Sequence, residues 1–340
     1  MIKKEKLIMT PDEIKRAYPL SDRATATKAK RDEELRDIFN GTDKRRKALV
    51  IGPCSAHDPV AVSDYLDKLG SVAEKVSDRL VVVPRIYTGK PRTNGTGYKG
   101  PMFSPDPNKE GDVTAGMLQA RFMMIMANEN GLPPADEMLN SELYEHMSDV
   151  LSYVAVGARS SEDQFHREVA SGIHVPVGLK NPMSGDLATS FNSVYAAQSA
   201  HVFPYNGWQV CTDGNPLAHL VLRGYTKDGV NRPNYQYEDL LKVSEEYQKR
   251  GLKNPAVIVD TNHSNSGKKY AEQPRIVQEV VNSMNYNPDV AKLVKGFMVE
   301  SFLVDGAQPT DGRVYGQSIT DPCLGWDATK KLIYDLAEKI

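Results

Sequence analysis

The chain has 340 residues, which is enough for one large domain or two ordinary ones. Hydrophobic residues make up 40% and charged residues 25%, and 42 Lys and Arg against 44 Asp and Glu leave a net charge of −2. This balance gives no reason to expect a nucleic-acid partner or an anionic membrane, and no stretch approaches the ~20 apolar residues that span a bilayer.

The first residues of the chain and its cysteines bear on the expected cellular location. Residues 1–6 are basic, but no apolar segment typical of a signal peptide follows them. The three cysteines, Cys54, Cys211 and Cys323, are too few for a disulfide scaffold. We therefore expect a reducing, cytoplasmic location in which each thiol is a candidate for chemistry.

Residues 1–46 are polar and predict an N-terminal extension of one or two helices, with Thr10-Pro11-Asp12-Glu13 as a helix start. From residue 47 to residue 340, short apolar runs alternate with longer helical patterns. The predicted strands are Ala48–Ile51, Leu80–Val83, Pro134–Leu139, Tyr153–Val156, Val175–Leu179, Leu220–Leu222, Ala256–Val259 and Phe297–Val299. The predicted helices are Pro59–Val76, Val113–Asn130, Glu142–Leu151, Glu162–Ser171, Leu187–Ala200, Tyr237–Lys249, Arg275–Asn285 and Asp327–Lys339.

Eight strands that alternate with helices predict an α/β fold, a closed (β/α)8 TIM barrel over residues 47–340. Residues 201–224 interrupt the alternation: a β-like run at Trp208–Cys211 is followed by Asp213-Gly214 and then by the sixth strand. Because Asp-Gly between apolar runs favours a tight turn, we expect a β-hairpin insertion there. The segment Thr88–Gly116 is rich in Gly and Pro and too long for an idle loop.

A polar, chemically useful residue stands at each predicted strand end. In a (β/α)8 barrel these ends meet at one face, which is where active sites lie. A single such residue is usually a solvated side chain, but the full set is hard to explain in that way. The residues are Cys54, Arg85, Glu137, Arg159, Lys180, Arg223, His263 and Glu300.

The basic members of this set indicate an anionic ligand. Four cations follow strands, and Lys90, Arg92 and Lys99 lie in the loop after Arg85. Arginine suits bidentate binding of phosphate or carboxylate, and lysine acts as a point charge. So many cations around one mouth predict more than one anionic group, and salt bridges to nearby acids are the alternative.

The remaining members form a candidate metal site. Cys54, His263 and Glu300 follow strands, and Asp321 lies just past the eighth strand. A thiolate, an imidazole and two carboxylates suit one divalent ion such as Mn, Fe, Co or Zn better than Mg or Ca. On spacing alone the signal is weak, since a buried cysteine is usually a small hydrophobic residue.

The motifs together resemble one enzyme family. The chain is similar to class I 3-deoxy-D-arabino-heptulosonate-7-phosphate (DAHP) synthases, in the larger, feedback-regulated subgroup, from about Arg46 to its end. The motifs are Gly52-Pro53-Cys54-Ser55-Ala56-His57-Asp58-Pro59, Lys90-Pro91-Arg92-Thr93, Gly157-Ala158-Arg159, Val177-Gly178-Leu179-Lys180-Asn181, Leu222-Arg223-Gly224, Asp260 to Ser266 and Ser318 to Trp326.

The resemblance implies an aldol-like condensation of phosphoenolpyruvate with D-erythrose 4-phosphate and water, which opens the shikimate pathway to chorismate and the aromatic amino acids. It implies that phosphoenolpyruvate is held by Arg85, Lys90, Arg159, Lys180 and Arg223. Arg92 and Thr93 would hold the aldose phosphate, and Cys54, His263, Glu300 and Asp321 the metal. Lys90 is the candidate acid, and we expect neighbouring cations to lower its pKa. Glu137 would orient water or Lys180, and His263 would take part in catalysis as well as hold the metal.

Two other functions stay open on the sequence. One is a 3-deoxy-octulosonate-8-phosphate synthase, which takes arabinose 5-phosphate, and the other is a non-catalytic barrel that binds a phosphorylated ligand. The resemblance also implies a homodimer or homotetramer and an aromatic amino acid effector near the N-terminal extension and the hairpin. Because Cys323 lies two residues after Asp321, it is a candidate partner of Cys54 in a disulfide formed after metal loss.

Overall fold

The computed structural model describes residues 1–92 and 94–340 and confirms the predicted barrel. Neighbouring parallel strands pair in the order β2-β1-β8-β7-β6-β5-β4-β3. A parallel bridge between Arg85 and Ala135 joins β2 to β3 and closes the ring. The strands are β1 (Lys47–Gly52), β2 (Leu80–Pro84), β3 (Ala135–Glu137), β4 (Tyr153–Val156), β5 (Val177–Lys180), β6 (His219–Leu222), β7 (Val257–Asp260) and β8 (Val294–Glu300).

Helices surround the barrel, and α3 shows why the sequence forms them. Its buried residues Tyr65, Leu66, Leu69 and Val72 recur every three to four positions, so one face packs against the strands. The helices are α1 (Pro11–Ala17), α2 (Asp22–Asn40), α3 (Pro59–Lys75), α4 (Val113–Glu129), α5 (Gln164–Ser171), α6 (Leu187–Ala197), α7 (Tyr237–Arg250), α8 (Gln273–Tyr286), α9 (Pro288–Leu293) and α10 (Trp326–Lys339). No helix in residues 1–92 and 94–340 is long and apolar enough to cross a membrane.

The N-terminal extension is helical, as predicted. Thr10 and Glu13 form a capping box at the start of α1. Phe39, near the end of α2, is fully buried against Tyr153 and His219 at the N-terminal end of the barrel. The end of α2 therefore covers the end of the barrel that lies opposite the strand carboxyl ends.

The prediction of an α-helix over Glu142–Leu151 was wrong. A short 3-10 helix, Ser141–His146, follows β3 instead. Its backbone groups bond to distant parts of the chain, because the Tyr205 hydroxyl donates to the carbonyl oxygen of Ser141 at 2.9 Å. In addition, Nε2 of His146 lies 2.9 Å from the carbonyl oxygen of Met9. These contacts fix a tight turn that a regular helix would not satisfy.

The predicted hairpin insertion is present, but its turn was predicted at the wrong place. Strands His201–Tyr205 and Trp208–Thr212 pair antiparallel around Asn206-Gly207, and we call this element the inserted hairpin. Asn206 and Gly207 have φ values of 48° and 82°, as a type I′ turn requires. Asp213-Gly214 only links the inserted hairpin to β6.

A second hairpin was not predicted. Strands Tyr225–Lys227 and Val230–Arg232 pair antiparallel just after β6, around the turn Asp228-Gly229. We call it the rim hairpin because it stands at the carboxyl end of the barrel. A short parallel pair, Val304–Ala307 with Gln317–Ser318, was also not predicted and precedes Asp321.

Candidate active site

The predicted strand-end residues meet in one cleft at the mouth of the barrel. Glu300 is fully buried beneath it. Thr93 lies outside the described residues. Lys99, which was counted among the cations of the mouth, does not line this cleft but an adjoining depression that it shares with Arg92. The remaining predicted residues line the cleft: Cys54, Arg85, Lys90, Arg92, Glu137, Arg159, Lys180, Arg223, His263 and Asp321.

One side of the cleft gathers anionic donors. Sγ of Cys54 and one carboxylate oxygen each of Glu300 and Asp321 lie within 4.8 Å of one another. His263 is outside this group, although its Nε2 is 3.8 Å from Oε1 of Glu300. Three of the four predicted metal ligands are therefore in mutual reach, and the fourth adjoins one of them. One soft and several harder donors fit a divalent transition metal ion.

Buried polar groups hold these donors in place. The backbone N–H of Glu300 donates to Oε1 of Gln273 at 2.8 Å, and Nδ2 of Asn262 donates to Oε2 of Glu300. Nδ1 of His263 lies 2.8 Å from Oδ2 of Asp260, which leaves Nε2 toward the donor cluster. Such support from a carboxylate is typical of metal-binding histidines.

The backbone and the charges at His263 are unusual. Its φ of 49° lies in the left-handed region, which is uncommon outside glycine and clusters at functional sites. Burial lowers the pKa of His263. Burial also opposes ionisation of Asp260, but the adjacent His263 and nearby Lys180 and Arg85 hold the pKa of Asp260 well below its ordinary value.

Lys90 lies among anions, which corrects the expectation for its pKa. Its Nζ is 2.6 Å from Sγ of Cys54 and 3.0 Å from Oδ2 of Asp321. Burial alone would lower the pKa of Lys90, but Cys54, Asp321 and Glu300 raise it above its ordinary value. The predicted lowering by neighbouring cations was wrong, because the long loop carries Lys90 to the anionic side of the cleft.

The other side of the cleft gathers cations. Nζ of Lys180 donates to Oε2 of Glu137 at 2.8 Å, and this pair holds the pKa of Glu137 below its ordinary value despite burial. Burial, followed by the nearby charge of Arg159, lowers the pKa of Arg223. In the described part of the chain, the Arg223 guanidinium donates only to Sδ of Met183, at 3.3 Å. A thioether is a weak acceptor, so most of this guanidinium is available to a ligand.

Arg85 links the two sides. Its Nη2 donates to Oε1 of Glu300 at 2.7 Å, and its guanidinium stacks 3.7 Å from the centre of the Tyr87 ring. Its Nη1 is buried and has no hydrogen-bond partner among the described residues. A buried donor without a partner is costly, which indicates that an acceptor binds there.

Sequence reasoning missed several residues of the cleft. Lys268 donates to Oδ1 of Asp321 at 3.3 Å, and it stands just after the motif Asp260 to Ser266, so that motif was a usable signal. Met183 also follows a recognised motif, Val177 to Asn181. Thr226 and Asn231 line the cleft from the rim hairpin, which no motif indicated.

Comparisons with known proteins agree with this geometry. A model described as the DAHP synthetase I family matches residues 19–333. The chain is 37% identical to the Tyr-sensitive phospho-2-dehydro-3-deoxyheptonate aldolase of Escherichia coli, over 99% of this chain and 94% of that protein. It is 35% identical to the Phe-sensitive protein of the same species, over 100% and 96%. The solved phospho-2-dehydro-3-deoxyheptonate aldolase of Francisella tularensis superposes with a TM-score of 0.93 at 31% identity, covering 100% of this chain and 98% of that one.

Proposed function

The chain belongs to the DAHP synthetase I family, and from that premise we propose how its barrel mouth joins phosphoenolpyruvate to D-erythrose 4-phosphate. The enzyme is a 3-deoxy-7-phosphoheptulonate synthase that forms 3-deoxy-D-arabino-heptulosonate 7-phosphate and phosphate, at the start of aromatic biosynthesis. The octulosonate synthase and the non-catalytic barrel are not favoured, since the full-length relatives carry the heptonate name. One observation carries the proposal: a single cleft places a cluster of metal-type donors beside a cluster of cations, in which Nη1 of Arg85 and most of the Arg223 guanidinium have no acceptor among the described residues.

We assign phosphoenolpyruvate to the cationic side. Arg159 and Arg223 are neighbours whose like charges disfavour each other until an anion lies between them. The buried Nη1 of Arg85 and the ammonium of Lys180 lie deeper in the same cleft. This arrangement suits a small ligand with a phosphate at one end and a carboxylate at the other. Lys90, which the resemblance also assigns to phosphoenolpyruvate, lies on the anionic side of the cleft, beside Cys54 and Asp321.

The family depends on a divalent metal, and the donor set fits one. We propose Cys54, His263, Glu300 and Asp321 as the residues that hold it. The ion, when bound, supplies a Lewis acid that polarises the aldehyde of the aldose phosphate. The mixed sulfur, nitrogen and oxygen donors leave Mn, Fe, Co and Zn as candidates.

The protein's own groups supply orientation and a proton. The enol carbon of phosphoenolpyruvate attacks the aldehyde carbon, water adds at C2, and phosphate leaves. We propose that the ammonium of Lys90 gives the proton to the new hydroxyl, because it lies beside Cys54 and Asp321, two of the proposed metal donors, where the aldehyde oxygen would be held. Glu137 is held as a carboxylate by Lys180, which suits a group that orients Lys180 and the attacking water and not a proton donor.

We propose that Arg92, at the wall of the cleft, holds the aldose phosphate. Nε of Arg92 donates to the carbonyl oxygen of Tyr98 at 2.8 Å, so the loop holds this guanidinium at the cleft wall. Its terminal nitrogens donate to no other described residue, which suits them to a phosphate. Thr93 belongs to this proposal through its place in the Lys-Pro-Arg-Thr motif.

Regulation by an aromatic amino acid is also proposed. Three of the curated relatives from Escherichia coli are described as Tyr-, Phe- and Trp-sensitive. The elements named by the resemblance meet in this chain, since Tyr205 of the inserted hairpin and Met9 of the extension both contact the 3-10 helix Ser141–His146. Inhibition assays with each amino acid test this, and failure of all three at millimolar concentration contradicts it. A homodimer or homotetramer and a cytoplasmic location stay predictions.

The direct test of function is release of phosphate from phosphoenolpyruvate. We expect release that requires erythrose 4-phosphate, is lost with a chelator and returns with Mn. Arabinose 5-phosphate is the control substrate and should support little turnover. Absence of release with erythrose 4-phosphate and metal, or a preference for arabinose 5-phosphate, contradicts the proposal.

A further inference from the structure

The rim hairpin, strands Tyr225–Lys227 and Val230–Arg232, is an unpredicted element at the edge of the cleft. It begins two residues after Arg223, the cation at the end of β6. Two of its side chains, Thr226 and Asn231, line the cleft. No step of the reaction described so far uses them.

The strand pairing of the rim hairpin places the side chains of Thr226 and Asn231 on the same face of the ribbon. Thr226 and Asn231 are directly opposite each other in the antiparallel register, and Oγ1 of Thr226 lies 3.4 Å from Oδ1 of Asn231. Opposite residues share a face of a β-ribbon, and the adjacent pair Lys227 and Val230 points to the other face. One face of the ribbon therefore belongs to the cleft and the other to solvent.

The rim hairpin is fixed to the loop that follows β5. The backbone N–H of Thr226 donates to the carbonyl oxygen of Met183 at 3.0 Å. Tyr225 packs so closely on Gly185 that an added Cβ at this glycine would lie 2.3 Å from the Tyr225 ring. Gly185 also has a φ of 76°, so two independent constraints require glycine there. The ribbon is therefore docked and not a free loop.

Its base is fixed by asparagine side chains. Oδ1 of Asn181 accepts from the backbone N–H of Arg223 at 2.9 Å and from Nδ2 of Asn234 at 3.1 Å. Oδ1 of Asn234 accepts from the backbone N–H of Gly224 at 2.7 Å. This network ties the chain on both sides of the rim hairpin to the backbone of Arg223.

Met183 shows which part of the cleft the ribbon faces. The residue accepts from Arg223 through its sulfur and from Thr226 through its carbonyl oxygen. Thr226 therefore shares the neighbour Met183 with Arg223, whose guanidinium is close to Arg159. The amide nitrogen of Asn231 donates no hydrogen bond within residues 1–92 and 94–340, and the Thr226 hydroxyl has only a long contact.

We propose that Thr226 and Asn231 complete the phosphate subsite at Arg159 and Arg223, and that they set the affinity for the phosphate of phosphoenolpyruvate and for released inorganic phosphate. A hydroxyl and an amide N–H are neutral donors that phosphate oxygens accept readily, and they add contacts without adding to the repulsion between the two arginines. This inference rests on the proposed function for the identity of the substrate. Binding of inorganic phosphate at the subsite does not depend on which substrate carries the phosphate.

The test compares a double variant, Thr226→Val with Asn231→Ala, with the outer-face control Val230→Ala. Steady-state kinetics give KM for each substrate, and calorimetry gives the Kd for inorganic phosphate in the metal-loaded enzyme. We expect the double variant to raise KM for phosphoenolpyruvate and Kd for phosphate in parallel by about tenfold, the order expected for lost hydrogen bonds to a charged group. KM for erythrose 4-phosphate should stay within about twofold, and the control should match the wild type.

A phosphate Kd within about twofold of the wild type in the folded double variant overturns the inference, as does a rise in KM for erythrose 4-phosphate alone. Thr226→Ser, which keeps the hydroxyl, should keep most of the affinity, whereas a purely structural role of the methyl group would not allow this. Failure of the proposed function appears separately, as absence of turnover in the wild type. The phosphate titration still decides the inference in that case.

Discussion

At the mouth of the barrel, a buried cation has a donor without a partner among the described residues, whereas at the opposite end the side-chain nitrogens of the buried Lys47 and His219 all have partners. Nη1 of Arg85 has no acceptor in the described part of the chain. At the N-terminal end, the amine of Lys47 donates to the carbonyl oxygens of Ala291 and Val294, both at 2.7 Å. His219 there is bonded through both ring nitrogens, to Leu217 and Tyr153. The same residue types therefore serve a ligand at one end and packing at the other.

The comparison shows that the number of hydrogen-bond partners, and not burial, distinguishes the basic side chains that face a ligand from those that only hold the fold together. Lys180 and Lys47 are 3% and 9% exposed, so exposure does not distinguish them. Among the described residues, the Lys180 ammonium donates to Glu137 alone, at 2.8 Å, and faces the cleft, while the Lys47 amine donates to two carbonyl oxygens. Groups held without enough partners carry a free-energy cost that ligand binding relieves.

The largest expected effect concerns the thiols. Cys54→Ser should lower kcat by about a thousandfold, because it replaces the soft donor of the metal cluster and so removes most of the Lewis-acid contribution. Binding of phosphoenolpyruvate should persist, as its proposed contacts are on the cationic side. Cys211→Ser is the matched control, since this thiol is exposed on the inserted hairpin. Equal activity of the two variants contradicts the assignment of Cys54.

The second test replaces each of the two buried lysines, Lys180 and Lys47, with methionine. Lys180→Met should lower kcat/KM for phosphoenolpyruvate by about a hundredfold, since a buried cation at an anionic substrate is lost. Lys47→Met should leave kcat/KM within about twofold but lower the free energy of unfolding by about 1–3 kcal/mol, because two carbonyl oxygens lose their donor. Kinetics and chemical denaturation of both variants measure this. A loss of activity in Lys47→Met would break the comparison between the two ends.

The fold was predictable where the chain follows regular periodicity. The eight strands were found because each is an apolar run bounded by turns. The failures lie where tertiary contacts override local pattern. The 3-10 helix at Ser141–His146 is fixed by Met9 and Tyr205, which are far away in sequence. The turn of the inserted hairpin was placed at Asp213-Gly214, although Asn206-Gly207 is an equally good turn signal closer to the centre of the β-like segment.

The site residues that directly follow a strand were predictable from the sequence. Cys54, Arg223 and Glu300 follow strands directly, so the closed barrel alone brings them together. The position of Lys90 was not predictable, since a long loop decides which side of the cleft it reaches. This is why its pKa was predicted in the wrong direction. Thr226 and Asn231 belong to a hairpin of three-residue strands, too short for a periodic signal.

A third test follows from the place of Cys323 at the mouth. Its Sγ accepts from the backbone N–H of Cys54 at 3.4 Å, so the two cysteines are neighbours. We predict that, after the metal is removed, an added oxidant takes two electrons and two protons from the thiols and forms a disulfide. Cys323→Ala should then lose activity on oxidation about tenfold more slowly. Cys211→Ser should behave as the wild type. Finding both thiols free in the oxidised, metal-free wild type rejects the prediction.

The smallest effect tests the packed end of the barrel through pH. Burial lowers the pKa of His219 from 6.5 to about 3, so the folded protein keeps this ring neutral. The Tyr153 hydroxyl donates to Nε2 of His219. Gly178 makes room for this hydroxyl, since an added Cβ at the glycine would lie 2.1 Å from its oxygen. Because the unfolded chain binds a proton at His219 below pH 6.5 and the folded chain does not, stability falls as the pH drops from 6.5 toward 3.

We expect this single group to contribute a slope of up to about 1.4 kcal/mol per pH unit in the free energy of unfolding. His219→Gln keeps an acceptor for Tyr153 and a donor for Leu217 but cannot take up the proton. The difference in unfolding free energy between wild type and His219→Gln should therefore shift against the wild type as the pH falls, while kcat near neutral pH is the same in both. Parallel pH curves would mean that the ring is not held neutral. A changed kcat would mean that the packed end of the barrel acts on the reaction at the mouth.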